Sequence, residues 1–272
     1  MGKINQLNNG WYLPQIQRQY VWGARYDSET YICLLLDSLY RRYPIGGLVL
    51  WETDKPVPFR EFVSDYYPGQ FARQVDRGRF GCHKSLVYDG QQRLQTLRSV
   101  LYYTFNGHVL CFDLLFDKEK ADPDDSGFFF LDKDEPLRPH YIKMTEVSGI
   151  TCDSKEKSKL EMRFLKNEML TDDQEVLIRT NINALWDVFV DTNIKSIAYS
   201  PATANDEDEV NEVFRRLNIG GIMLTQLELV FSKIKAKYSD YEERLWEIAS
   251  GIQNATGGFK FTSPKIPQFF IY

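Results

Sequence analysis

The feature that most constrains this sequence is a short apolar segment that leads directly into a glycine turn and an amphipathic helix. Leu86-Val87-Tyr88 indicates a buried strand, and Asp89-Gly90 breaks it. Apolar residues then recur on one helix face from about Gln91 to Phe105. Such a strand–turn–helix unit directs the free N–H groups of the first helical turn towards a ligand. The segment therefore predicts an anion site at the start of a helix.

The side chains at this turn have the chemistry of phosphoryl binding. Arg93 in the first helical turn offers a fixed fork of donors for phosphate. Asp89 can hold Mg²⁺ through its own oxygen or through a water, and Gln91 and Gln92 can donate amide protons or orient a water. A structural interpretation stays open, in which Asp89 caps the helix and Arg93 pairs with an acidic side chain.

Two further segments combine polar and aromatic residues. In Gln17-Arg18-Gln19-Tyr20-Val21-Trp22, rings can stack on a base while Arg18 clamps a phosphate. Alternatively, this loop lines the core, and Tyr20 and Trp22 fill space. The segment 214–221 indicates a helix that ends in a left-handed exit, where Asn218 either caps the last carbonyls or reaches a ligand.

The pattern along the chain indicates an α+β fold: a mixed α/β core over residues 1–150 and a mostly helical part over residues 151–272. The predicted strands cover residues 11–13, 47–51, 86–88, 109–116, 128–131 and 194–199. The predicted helices begin at Asp27 or Ser28, at Gln91, and near residues 156, 171, 206, 225 and 241. We expect the strands at 109–116 and 128–131 to form a hairpin.

Composition and charge exclude several classes of protein. Hydrophobic residues make up 43% and charged residues 26% of the 272 residues, which is typical of a globular chain. No apolar run approaches the roughly 20 residues of a membrane span, so we expect no membrane partner and a cytoplasmic location. The net charge of -5 argues against a chain that coats nucleic acid non-specifically, but not against a local basic groove.

One stretch, residues 52–84, is locally basic and rich in proline and glycine. Within its residues 73–84, Arg73, Arg77, Arg79 and Lys84 outnumber Asp76. Two interpretations stay open: a solvated insertion, or a loop that faces nucleic acid.

The motifs of this chain, taken in their order and spacing, resemble one family. The segments that carry the resemblance are Leu13 to Trp22, Pro44-Ile45-Gly46 before a strand, Asp89-Gly90-Gln91-Gln92-Arg93-Leu94-Gln95-Thr96-Leu97, and Phe214 to Leu224 followed by Glu228-Leu229. They are similar to the N-terminal domain of GmrSD-type modification-dependent restriction endonucleases, which is related to the ParB/sulfiredoxin-like nuclease superfamily. Gln19 and Gln95 depart from the family pattern, in which proline and threonine are commoner at those positions.

The resemblance implies a ParB/sulfiredoxin-like core that binds and hydrolyses a nucleoside triphosphate with a divalent metal, in defence against phage or modified DNA. Its implied catalytic positions are Asp89, Gln91, Gln92, Arg93 and Arg18. Its implied nucleotide-binding positions are Gln17, Arg18, Gly90, Arg93, Asn218 and Gly220. We expect Mg²⁺ as the cofactor, held by Asp89, and expect Arg18 to stabilise the charge on the transferring phosphoryl group.

Three functions follow, in order of preference. The first is an NTP-hydrolysing sensor module of a restriction or phage-defence protein, a Mg²⁺-dependent hydrolase. The second is a non-hydrolysing recognition module that contacts modified DNA through Tyr20 and Trp22 or through the basic stretch. The third is a ParB-like endonuclease. Since the chain lacks the histidine cluster of an H-N-H nuclease, we expect DNA cleavage to require a partner subunit or a C-terminal nuclease domain beyond residue 272.

Overall fold

A computed structural model describes residues 4–24, 27–122, 124–166, 169–194 and 196–204, together with positions 206, 208–210, 212, 213, 216, 244, 247, 248 and 251. Asn218 and Gly220 of the predicted third motif lie outside the described residues, as does the start of the predicted helix near residue 225. Among the described residues, no helix is long and apolar enough to cross a bilayer.

The described part of the chain combines strands and helices in an α+β fold, as predicted. The strands are β1 (Trp11–Pro14), β2 (Leu48–Thr53), β3 (Phe59–Arg60), β4 (Lys84–Asp89), β5 (His108–Asp113), β6 (Phe128–Asp132), β7 (Tyr141–Lys143) and β8 (Tyr199–Ala202). The α-helices are α1 (Ser28–Tyr40), α2 (Gln91–Tyr102), α3 (Met144–Gly149), α4 (Ser154–Leu165) and α5 (Asp172–Leu185). A π-helical turn, Trp186–Val190, follows α5 directly.

Five strands form a mixed sheet in the order β3-β1-β4-β2-β8. The central strand β4 pairs in parallel with β1 and antiparallel with β2. Strand β8 adds to the far side of β2 in parallel, with Leu48 opposite Tyr199. The described chain after residue 150 therefore contributes a strand to the same sheet as the motif-bearing strand β4.

Side chains of β4 alternate between the two faces of this sheet, as the pleat requires. Val87 belongs to the larger apolar cluster, which includes residues of α1 and α2. Leu86 and Tyr88 belong to a second cluster with Phe59 and Val75. Both faces are covered, so β4 carries its final residue, Asp89, out of a well-packed interior.

The predicted hairpin at 109–131 is confirmed. Strands β5 and β6 pair antiparallel, with Cys111 opposite Phe129, and β7 completes a three-stranded sheet. Asn181 of α5 links this sheet to α1: its amide donates to the carbonyl of Leu114 at 2.9 Å, and its oxygen accepts from the Tyr40 hydroxyl at 2.5 Å. A buried polar side chain thus joins the helical part to the core.

The interpretation of residues 52–84 as a solvated insertion is wrong. The stretch supplies β3 and buries apolar side chains, among them Phe59, Phe62 and Tyr66. Lys84 is 1% exposed, and its ammonium donates to the carbonyls of Lys55, Phe80 and Cys82. Burial lowers the pKa of Lys84. Lys84 therefore takes no part in an exposed basic surface.

The boundaries of several elements differ from the predictions. Helix α2 ends at Tyr102, because Tyr103 is extended (φ -140°, ψ -159°). Helix α5 gives way to the π-helical turn at Trp186. The strand expected at 194–199 lies instead at Tyr199–Ala202, where it pairs with β2. The last difference has a tertiary cause, since a strand forms where a neighbouring edge offers hydrogen bonds.

Candidate functional site

The turn between β4 and α2 is shaped by Gly90. Its φ of +86° is left-handed, and a Cβ at this position would collide with the Leu48 side chain. Only glycine fits both demands. The helix begins with the bond from Leu94 N–H to the Gly90 carbonyl, and no side chain caps it. The first-turn N–H groups therefore lie at the end of β4 without a capping side chain.

Arg93 is bound to the protein at this turn. Its guanidinium donates to the carbonyls of Ile45 and Gly47, the latter at 2.8 Å, and to Asp89 Oδ2 at 3.2 Å. The side chain is 16% exposed, whereas that of Asp89 is 53% exposed. These contacts confirm one part of the structural interpretation, in which Arg93 pairs with an acid. The other part is wrong, because Asp89 does not cap α2. Arg93 positions Asp89 and the 45–47 loop.

Gln91 and Gln92 reach back to the loop that carries the first motif. Gln91 Nε2 donates to the Arg18 carbonyl at 3.2 Å, and Gln92 Nε2 donates to the Gln19 carbonyl at 3.1 Å. Gln92 Oε1 also accepts from the N–H of Val21 at 2.9 Å. Both side chains are buried. The two motif glutamines therefore hold the loop against α2.

Gln17 ties the same loop to β4. Its Nε2 donates to the Tyr88 carbonyl at 2.7 Å, and its own carbonyl accepts from the Arg60 guanidinium. The side chain is 4% exposed. Arg18, next in sequence, is exposed. The loop thus directs its glutamines inward and Arg18 outward, next to the start of α2.

Tyr20 and Trp22, predicted to contact DNA, lie against the core. Tyr20 is 8% exposed, its hydroxyl is 2.6 Å from Thr96 Oγ1, and its ring packs edge-on against Tyr66. Burial raises its pKa well above the usual range. Trp22 is half-buried and packs against the same cluster. The space-filling interpretation describes this conformation of Tyr20, which offers no free ring face to a base.

A small cavity lies where these segments meet. It is lined by Leu13, Arg18, Gln19, Tyr20, Val63, Ala72, Gln91, Gln92 and Gln95. The enclosed space is about 10 Å³, which holds roughly one water molecule. A nucleotide does not fit inside it. Arg18 and Asp89 are exposed outside this cavity.

A family model described as the N-terminal domain of the GmrSD restriction endonuclease matches residues 2–235. The chain belongs to this family. The match spans most of the sequence and confirms the resemblance that the motifs predicted. No protein in a comparison with curated sequences matches the chain.

Membership in the GmrSD N-terminal domain family makes the chain a module of a restriction and phage-defence protein, with an action related to DNA. Within the described residues, the candidate site contains one half-exposed carboxylate, Asp89. Within the described residues, no group of three or more His, Cys, Asp or Glu side chains could hold a metal ion. A single carboxylate fits Mg²⁺ that arrives with phosphate oxygens and waters, because Mg²⁺ is commonly bound by one or two carboxylates and substrate phosphates.

Gln19 and Gln95 also bond to segments of the candidate site, although neither was predicted as a site residue. Gln19 accepts from the N–H of Ala72 at 3.0 Å, and Gln95 bonds to both main-chain groups of Val63. One signal could have found Gln95: it lies three residues after Gln92 and four after Gln91, so helical periodicity places all three on one side of α2. Gln19 carried no such signal.

Proposed function

We propose that the chain is the NTP-hydrolysing sensor module of a modification-dependent restriction protein. The observation that carries the proposal is the left-handed, uncapped start of α2 at Gly90, with exposed Arg18 and Asp89 beside it. Gln91 bonds to the Arg18 carbonyl, and Asp89 directly precedes Gly90, so the backbone of Arg18 and the residue Asp89 both lie beside the start of α2. Main-chain N–H groups at such a turn bind phosphate oxygens without a side-chain competitor.

In this proposal the residues divide into those that touch the nucleotide and those that position them. The N–H groups of the first turn bind phosphate oxygens, and Arg18 stabilises the charge on the transferring phosphoryl group. Asp89 would hold Mg²⁺ when it binds with the triphosphate, and the ion would supply neutralisation of phosphate charge. Gln17 and Gln92 hold the loop, and Arg93 holds Asp89 in place.

Gln91 is the glutamine we assign to water. Its Nε2 is bonded to the Arg18 carbonyl, and among the described residues no donor is bonded to its Oε1. That oxygen orients the attacking water in the proposed mechanism.

The test is phosphate release by the purified protein with Mg²⁺ and each nucleoside triphosphate in turn. We expect Arg18→Ala and Asp89→Asn to lower kcat by about 100-fold or more, because each removes a charge from the transition state. Arg138→Ala, at an exposed arginine away from the turn, is the matched control and should leave the rate unchanged. Absence of phosphate release with every triphosphate, or equal rates in Arg18→Ala and the wild type, would contradict the proposal.

A second candidate function is recognition of modified DNA through the arginines of residues 73–79. Arg73, Arg77 and Arg79 are exposed. Arg79 contacts the Tyr12 hydroxyl at 2.9 Å and Glu61 at 3.6 Å, whereas no described carboxylate lies within ion-pair distance of Arg73 or Arg77. Two exposed cations that form no described ion pair, on one short stretch, favour contact with a phosphate backbone.

Salt-dependent binding of modified and plain duplexes tests this second candidate. The double variant Arg73→Ala/Arg77→Ala should weaken binding of both duplexes and reduce the slope of log K against log salt by about 2, one for each lost phosphate contact. Arg138→Ala is again the control. Equal binding by the double variant and the wild type, or the absence of any preference between the duplexes, would remove this candidate.

A further inference from the structure

Two glutamines outside the assigned motif positions connect the candidate site to a third piece of the chain. The cavity beside Arg18 is lined by the first-motif loop, by α2, and by Val63 and Ala72 from the stretch 63–72. Gln95 and Gln19 make the hydrogen bonds that hold this stretch. Both positions depart from the family pattern, so the motif comparison did not assign them.

Gln95 holds the first end of the stretch. Its Oε1 accepts from the N–H of Val63 at 2.9 Å, and its Nε2 donates to the Val63 carbonyl at 2.8 Å. The same Nε2 donates to Ser99 Oγ at 3.0 Å. The side chain is 3% exposed. One buried amide therefore satisfies both main-chain groups of a residue that is 32 positions away.

Gln19 holds the second end. Its Oε1 accepts from the N–H of Ala72 at 3.0 Å, and its own carbonyl accepts from Gln92 Nε2 at 3.1 Å. Gln19 is also buried, at 8% exposed. The residue therefore bonds at once to the stretch 63–72 and to the motif helix, and it directly follows Arg18 in the chain.

The middle of the stretch packs under the same loop. The ring of Tyr66 lies edge-on to the ring of Tyr20, with 4.8 Å between centroids. A Cβ on Gly23 would collide with the Tyr66 ring. The stretch is thus fastened at both ends by amides and in the middle by an aromatic contact, which makes it a wall of the cavity.

We propose that Gln19 and Gln95 are positioning residues of the site: they hold residues 63–72 as its third wall and thereby fix the loop that presents Arg18. The effect on hydrolysis rests on the proposed function, whereas the wall itself can be tested without nucleotide. Loss of the Gln95 amide leaves the N–H and carbonyl of Val63 buried without their partners. The stretch then shifts, and Ala72 and Gln19 lose their mutual bond.

The experiment compares Gln95→Leu and Gln19→Met with the wild type by amide hydrogen exchange and by phosphate release. Gln95→Leu should raise the exchange rate of the distant Ala72 amide, and of the amides of residues 17–21, by about tenfold or more. It should lower kcat by about 10- to 100-fold with a smaller change in KM, because displacement of Arg18 reduces stabilisation of the transition state more than it reduces substrate binding.

Gln174→Leu is the control for general destabilisation. Gln174 also bonds its amide to a main-chain group, at the start of α5, so its loss costs stability without touching the wall. This variant should change neither the exchange at Ala72 nor kcat.

Each outcome decides the proposal. If the Val63 amide exchanges faster but the amides of Ala72 and residues 17–21 do not, residues 63–72 are not held together as the proposed wall. Altered exchange with unchanged kcat overturns the positioning role. If the wild type hydrolyses no triphosphate, the proposed function fails and the exchange measurement alone decides the wall. If Gln95→Leu does not fold, Gln19→Met, which removes the acceptor of the Ala72 N–H, decides through the exchange of the Ala72 and Val63 amides.

Discussion

Two helices of this protein begin in opposite ways. Helix α5 begins with a complete capping box, in which Thr171 Oγ1 accepts from the N–H of Gln174 at 3.3 Å and Gln174 Oε1 accepts from the N–H of Thr171 at 3.0 Å. Three acidic residues, Asp172, Asp173 and Glu175, lie in its first turn. Helix α2 begins at left-handed Gly90, with no side-chain cap and no acidic residue in its first turn.

The difference separates a helix start that is stabilised by its own residues from one that is stabilised by contacts with distant loops. The α5 start satisfies its own donors and complements its own dipole. At α2 the side chains of Gln91, Gln92 and Arg93 bond instead to carbonyls of the loops around residues 18 and 45–47. No side chain caps the first-turn donors of α2, and the stability of this helix start depends on long-range contacts. Four changes test this contrast.

The largest effect is expected for Gly90→Ala. The new Cβ meets Leu48 and the residue must keep a left-handed φ, which together cost about 2–4 kcal/mol. Urea unfolding measures the loss. The matched control is Gly107→Ala, because Gly107 has φ +82° but nothing within 4 Å of a Cβ; it should cost about 1 kcal/mol. Equal losses at the two glycines would show that Leu48 does not constrain the turn.

Arg93→Met should have the next largest effect. It removes charge-assisted hydrogen bonds to the Ile45 and Gly47 carbonyls and to Asp89, at a cost of about 2 kcal/mol in the free energy of unfolding. Unfolding and phosphate release, measured on the same variant, separate a positioning role of Arg93 from a phosphate-binding role. Lost stability together with lost phosphate release supports positioning, whereas lost phosphate release at unchanged stability would make Arg93 a phosphate ligand and contradict our assignment.

Tyr20→Phe tests how the loop is held on α2. Burial raises the Tyr20 pKa above its usual 10.0, so the folded state favours the neutral phenol. Its contribution to stability is complete below pH 10 and is lost as the pH rises above 10. The variant should lose about 1 kcal/mol at pH 8, from the Thr96 bond, and should decline less between pH 8 and pH 11 than the wild type.

Unfolding at the two pH values measures the effect of Tyr20. Tyr40 and Tyr66, whose pKa values burial raises to about 12, keep contributing to the alkaline decline in the variant. Tyr31→Phe, at an exposed tyrosine, is the control. An alkaline decline as steep in Tyr20→Phe as in the wild type would show that Tyr20 is not buried against α2.

The smallest effect is expected for Thr171→Ala at the self-capped helix. Loss of the cap should cost about 1 kcal/mol, measured by thermal or urea unfolding, and should leave phosphate release unchanged. A change in phosphate release would mean that the α5 start communicates with the α2 start, which would remove the contrast between them.

The local elements of the fold were predictable from particular residues. The Leu86–Tyr88 strand, the Asp89-Gly90 break and the helix after it are all encoded within about ten neighbouring positions, and the structure confirms them. The hairpin of β5 and β6 was also predictable, because two apolar runs follow each other in the chain and an acidic turn at residues 122–125 separates them. The motifs also predicted the family, which the family match confirms.

Other features depended on residues far apart in the chain. Burial of Phe59 and Lys84 required the second face of the sheet, and the position of β8 required the free edge of β2. Predictions at Asn218 and Gly220 fall outside the described residues and stay predictions. The roles of Asp89 and Arg18 in hydrolysis also stay predictions.

The sequence by itself determined the strand–turn–helix unit at Gly90, because backbone sterics and apolar periodicity act between near neighbours. It did not determine which polar side chains of that unit face a ligand. Gln17 bonds to a carbonyl 71 residues away, and Gln92 to one 73 residues away. Only the tertiary structure brought these groups together, and by burying the glutamines and engaging Arg93 it left Arg18 and Asp89 as the exposed charges of the site.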